Sequence, residues 1–141
     1  MNNAESQNQE RGTSRVARND KKGAITSHKD LDLWKLSMDL VIELYRITEQ
    51  FPKEEIYGLR LQIRRAGVSV CSNIAEGAAR AHSKEFAQFL YIALGSVSEI
   101  ETQLEIAKRL GYFVEIESSD EMLTRIRKML IGLIKHITRN T

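Results

Sequence analysis

Few side chains in this 141-residue chain are spaced for chemistry. Its one cysteine, Cys71, lies within Ala66 to Ala75, an uncharged stretch. Arg64 and Arg65 are two turns away, and no histidine falls near it in the helical stretch. A nucleophilic thiol needs a base or a lowered pKa, so Cys71 reads as a buried, inert thiol. The three histidines, His28, His82 and His136, show neither H-x-x-x-H nor E-x-x-H spacing and read as surface residues. Glu99, Glu101 and Glu105 crowd one helix, with Glu101 and Glu105 on one face. A di-metal carboxylate bundle also needs Glu-x-x-His on two helices, which this sequence lacks. The three acids are therefore expected on a solvated or ion-paired face. Gly77 lies inside a helical pattern, not in a strand-to-helix phosphate loop. The expectation is a chain with no catalytic residues, no metal site and no cofactor, and not an enzyme.

Two other sets of residues carry more. Asn73, Glu76 and Arg80 share one helical face beside small residues that include Gly77. They are expected to act in register or assembly, as a polar network between helices. Arg60, Arg64 and Arg65, continuing to Arg80 and Lys84, form a basic series, with Arg60 and Arg64 aligned at i,i+4. Such a series can contact phosphates, or it can be a solvated or ion-paired face. Oligomerisation would repeat the patch and build a field that one subunit lacks.

These residues need helices to position them, and the spacing supplies four. Residues 1–28 are rich in Asn, Gln, Ser, Lys and Arg, with Met1, Val16 and Ile25 the largest apolar side chains. That composition predicts a disordered polar tail. Residues 29–141 form the helical domain. Helix 1 is expected from about Asp30 to Gln50. One stripe there is Leu31, Trp34, Met38, Val41, Tyr45 and Thr48; a second is Leu33, Leu36, Leu40, Leu44 and Ile47. An apolar arc that wide implies burial on two sides, the second by another subunit.

Pro52 suits the first turn of helix 2, which should reach about Ala79. Its second half holds Gly67, Ser69, Cys71, Ser72, Ala75, Gly77, Ala78 and Ala79, all small. Because mid-helix glycine costs about 1 kcal/mol against alanine, a neighbouring backbone is expected close by. Ser83 is the expected N-cap of helix 3, and Gly111 its left-handed stop. Ser118-Ser119-Asp120-Glu121 has capping-box spacing and is expected to open helix 4. Short connections between such helices predict an all-α, antiparallel up-down-up-down four-helix bundle.

The composition agrees. The chain is 42% hydrophobic and 6% aromatic, with one proline, which suits one helical core and offers few strand signals. No stretch approaches the roughly 20 apolar residues of a membrane span, and the polar N-terminus lacks a signal-peptide core. With a lone cysteine, the protein is expected to be cytoplasmic. A net charge of +2 is too small to argue nucleic-acid binding alone. The distribution is uneven, however: residues 125–141 hold Arg125, Arg127, Lys128, Lys135 and Arg139 with no acid.

The run FPKEEIYGLRLQIRRAGVSVCSNIAEGAAR, followed by SKEFAQFLYIALGSVSEIETQLEIAKRLGY, resembles the bacterial four-helix bundle proteins encoded in 23S rRNA intervening sequences. DLDLWKLSMDLVIELYRIT is similar to the first helix of that family. The resemblance spans about residues 30–135 and is most specific at SNIAEG and GSVSEIETQL. It implies a left-handed bundle that assembles as a homo-oligomer, with a ring of five subunits among relatives. It implies no enzymatic activity and suggests contact with RNA. A fold similarity to accessory proteins of diversity-generating retroelements suggests, as an alternative, an adaptor for a partner such as a reverse transcriptase. Cys71 stands where the family often has proline, so helix 2 is expected to run straighter here. The leading expectation is thus a homopentamer binding RNA or DNA through basic surfaces of helix 2 and the C-terminus, with no membrane partner.

Overall fold

A computed structural model describes residues 27–113 and 117–139. Four long helices dominate: α1 (Asp32–Thr48), α2 (Leu59–Ala78), α3 (Ser83–Arg109) and α4 (Glu117–Thr138). Two 3-10 turns, His28–Asp30 and Lys53–Glu55, precede α1 and α2. No strand occurs among the described residues. The expected tail lies outside the described residues, apart from Ser27 and His28.

Helix α1 packs on α2 and α4, and α3 packs on the same two helices. Their apolar faces close on one core. Leu40, Leu44, Ile63, Ile74, Phe86, Leu90, Ile100, Ile126 and Leu130 are all sealed from solvent. Along the α1–α2 seam, Arg64 reaches Thr48 and Gly67 lies against Val41 and Leu44. Along α2–α3, Ser69 meets Ser96 and Gly77 meets Phe86 and Phe89. At both seams contact positions rise on one helix as they fall on the other.

The two α1 stripes behave differently. Leu33, Leu40, Leu44 and Ile47 are core, whereas Met38 and Tyr45 are about two-fifths exposed (39% and 41%). Trp34 and Val41 are half-buried between them. Within the chain the wide apolar arc is therefore covered on one side only.

Three expected boundaries are corrected. Helix 2 begins at Leu59 rather than at Pro52. Phe51 is buried and stacks on Phe113 at 5.9 Å and tilts against Tyr112 at 5.4 Å, which draws the turn across the end of the helices. The chain then needs the 3-10 turn and the non-helical Gly58 to re-enter a helix. Ile56 and Tyr57, which a helix starting at Pro52 would include, are consequently 40% and 88% exposed. At helix 3, His82 takes the cap position and Ser83 is the first helical residue. At helix 4, the helix has already begun at Glu117, and the Ser118 hydroxyl donates to Glu43 at 2.9 Å. The capping-box spacing is present in sequence but lies inside the helix.

The α3 stop is as expected. Gly111 has φ +76°, with Gly111 N–H on Lys108 C=O and Tyr112 N–H on Ala107 C=O, both at 3.0 Å. Helix α2 also runs unbroken through Cys71.

Candidate functional site

Burial disposes of the thiol first. Cys71 is buried, and desolvation pushes its pKa from 9.0 up to about 11. The described histidines are dispersed. His28 packs edge-on against Trp34 at 5.0 Å, while His82 and His136 are exposed. Among the described residues, no group of three or more His, Cys, Asp or Glu is placed to hold a metal ion. The α3 acids are engaged singly: Glu99 accepts from Gln103 (3.0 Å), Glu105 from Arg109 (3.0 Å), and Glu101 pairs with Arg127.

The basic series separates into differently engaged parts. Arg60 and Arg64 both grip Glu49, each at 2.9 Å. Arg64 also donates to Thr48 Oγ1 (2.8 Å) and to the Tyr45 carbonyl (3.2 Å), and its guanidinium lies 4.3 Å from the centre of the Tyr45 ring. The Arg64 hydrogen bond, followed by the Arg60 charge, holds the Glu49 carboxyl below its ordinary range. These two arginines are thus tied into the α1–α2 seam. Arg65 is exposed and makes no ion pair among the described residues. Arg80 lies 4.8 Å over the Phe89 ring, and Lys84 is exposed. Arg60 and Arg80 are 20 positions apart, about 30 Å at helical rise, so the five cations do not form one cluster.

The assembly set divides as well. Asn73 Nδ2 donates to the Ser69 carbonyl (2.8 Å) and to Ser69 Oγ (3.0 Å). Ser69 Oγ in turn meets Ser96 Oγ at 3.0 Å, giving a polar link from α2 to α3. Gly77 packs into the same seam, where a Cβ would lie 2.9 Å from both Phe86 Cδ1 and Phe89 Cβ. Glu76 is exposed. Glu49 and Ser96 were not singled out from the sequence. Glu49 is the one acid between Arg46 and Lys53, and only helix ends brought together reveal its role.

A groove of about 300 Å³ opens between α1 and α2. Trp34, Met38, Val41 and Val68 line it together with the small Ser72 and Ala75, and His28 closes one end. The floor is low because α2 offers only short side chains there. A second depression, of about 400 Å³, lies along α3 at Glu101, Glu105 and Arg109. Among the described residues, no helix is long and apolar enough to cross a membrane.

A family model described as 23S rRNA-intervening sequence protein matches residues 29–132. The chain is also similar to the crystal structure of a protein of unknown function from the S23 ribosomal protein family of Bacteroides thetaiotaomicron. The identity is 27% and the TM-score 0.67, over 73% of this chain and 98% of that one. No curated protein matches the chain.

Proposed function

We propose, from the premise that this chain belongs to the 23S rRNA-intervening sequence protein family, that it is a non-catalytic, homo-oligomeric protein of the bacterial cytoplasm whose basic surfaces bind RNA or DNA. We read the fold as a left-handed, antiparallel up-down-up-down bundle and the assembly as a homopentamer. The observation that carries this reading is the half-exposed α1 stripe. Trp34, Met38 and Val41 flank a groove floored by Ser72 and Ala75, so a second copy can approach closely and cover apolar surface left open in one subunit. Assembly also supports the binding role, because repeated subunits concentrate a charge that is weak in each. Arg65 on α2 and Lys84 in the first turn of α3 remain open to a phosphate. Arg60, Arg64 and Arg80 would first have to leave Glu49 or Phe89.

The test is the native mass in solution, with and without cellular RNA. Five copies of the 16.1 kDa chain give about 80 kDa, and nuclease-sensitive mass above that reports bound RNA. Met38→Glu should dissociate the assembly while leaving the core intact. A wild-type protein that runs at the mass of one subunit would overturn the reading.

The groove supports one competing function, an adaptor that receives a helix of a different protein, for example a reverse transcriptase. A stoichiometric protein partner retained after nuclease treatment, and lost in Met38→Glu, would favour it.

A further inference from the structure

We infer that the outer face of α4 is a track for the sugar-phosphate backbone of nucleic acid, recognised by charge and not by base sequence. This inference rests on the nucleic-acid reading above and narrows it from helix 2 and the C-terminus to one face of α4. Ser119, Leu123, Ile126, Leu130, Ile134 and Ile137 turn inward and are buried. Opposite them stand Arg125, Lys128, Lys135 and Arg139, all exposed. At 100° per residue the four fall within an arc of about 80°, and they extend over about 21 Å of helix. Their spacing is three, seven and four residues, and Gly132 fills the register between Lys128 and Lys135.

Three observations distinguish this face from the arginines of α2. None of the four cations makes an ion pair among the described residues, whereas Arg60 and Arg64 share Glu49. The fifth cation of the segment, Arg127, is turned aside to Glu101 and Ser98 of α3, so the free charges are those pointing away from the protein. At Gly132 an added Cβ would meet nothing within 4 Å, so the middle of the track is an open notch where another backbone can come close. The acid on this face, Glu121, stands before the first cation, so the stripe is uniformly positive from Arg125 onward.

The chemistry favours a phosphodiester backbone over other polyanions. Lysine and arginine heads in a row neutralise phosphates without reading bases. A membrane-surface helix would need an apolar face to bury beside its charges, and the apolar face of α4 is already in the core.

The test uses the full chain and fluorescence anisotropy with a labelled 20-nucleotide single-stranded RNA and a 20-base-pair duplex of arbitrary sequence. Titrations run from 50 to 200 mM KCl. Wild type should bind both, indifferently to sequence, with log affinity falling linearly in log salt. Neutralising all four (R125Q/K128Q/K135Q/R139Q) should flatten the single-strand slope by about 2.8, from about 0.7 per neutralised phosphate. The half variants R125Q/K128Q and K135Q/R139Q should each flatten it by about 1.4 on the same basis, which keeps the test open should the quadruple variant fold poorly. No RNA binding by wild type at 50 mM would overturn the nucleic-acid reading and this inference with it. RNA binding with an unchanged slope in both half variants would overturn the α4 assignment alone. Tighter binding to phosphatidylserine vesicles than to RNA, lost in the same variants, would overturn nucleic acid as the occupant.

Discussion

Three helical glycines, Gly67, Gly77 and Gly95, should respond to one substitution in three different ways. Gly→Ala inside a helix gains about 1 kcal/mol from propensity. At Gly95, mid-α3 and exposed, the new methyl meets nothing within 4 Å, so the whole gain should appear. At Gly67 the methyl would sit 2.8 Å from Leu44 Cδ1, the far end of a side chain but one that is fully buried. Partial relief should leave a net change near zero. Gly77 is hardest. A Cβ there meets Phe86 Cδ1 and Phe89 Cβ, each at 2.9 Å, and the Phe86 carbonyl oxygen at 3.2 Å. Neither the Phe86 backbone nor the Phe89 Cβ can rotate away, so α2 and α3 must separate. Overpacking costs about 1–3 kcal/mol. Gly77 is also the penultimate residue of α2, where less than the full propensity gain applies. Net destabilisation of about 1 kcal/mol is expected, and a gap of about 2 kcal/mol between the Gly95 and Gly77 variants. Near 100 residues this is roughly 8 °C in Tm. Urea and thermal unfolding at one fixed protein concentration, which removes the effect of assembly on Tm, measure it. Gly77→Ala unfolding above wild type, as Gly95→Ala should, would refute the close approach of α2 and α3.

Other expectations follow from the α1–α2 seam and the thiol. Arg64→Ala should cost about 1–2 kcal/mol because its hydrogen bonds to Thr48 Oγ1 and the Tyr45 carbonyl are lost, whereas Arg60→Ala, which breaks an ion pair with the exposed Glu49, should cost less than about 0.5 kcal/mol; equal losses in urea unfolding would contradict the assigned contacts. Glu49 has a folded-state pKa held below its unfolded one by Arg64 and Arg60, so its contribution is present above the ordinary carboxylate range and disappears as pH falls through the folded value. The Tm of wild type should therefore fall more steeply than that of Glu49→Gln as the solution is acidified below neutrality, and parallel curves would remove the pair from the account. Burial that lifts the Cys71 thiol from 9.0 to about 11 should leave about 100-fold less thiolate at pH 8; alkylation by iodoacetamide at the rate of the urea-unfolded chain would show the thiol to be open.

The inward faces were legible because helical spacing is a local property. Leu33, Leu40, Leu44 and Ile47 on α1 fall on the stripe their spacing marks and are buried there. Gly111 was legible for the same reason, since a left-handed stop depends on a few neighbouring residues. The start of α2 was not. Pro52, Glu54 and Glu55 are good first-turn residues, but Phe51 packs on Tyr112 and Phe113, some sixty positions away. That distant contact fixes where the turn must run and delays the helix to Leu59. Ser118 failed as a cap for a related reason: its hydroxyl is held by Glu43, seventy-five residues earlier. The α2 arginines show the same limit at the candidate site. Their i,i+4 spacing is real, but whether a guanidinium is free depends on Glu49, which arrives from the end of α1.

Glu49 changes which part of the surface the net charge describes. Counted along the chain, the arginine-rich start of α2 looks like the strongest cationic feature and residues 125–141 like a modest excess. Folding reverses that order. One carboxylate holds two α2 guanidiniums against α1, and Glu101 removes Arg127 from the outer face of α4. Among the described residues no acid pairs with Arg125, Lys128, Lys135 or Arg139, so the outer face of α4 keeps its positive charge. The apolar surface left open by one subunit lies elsewhere, between α1 and α2. Each surface is carried by different helices, so covering Trp34, Met38 and Val41 with a second copy need not cover the α4 cations. Under the proposed assembly, a chain of net charge +2 would multiply its exposed cations while its apolar α1–α2 surface is covered.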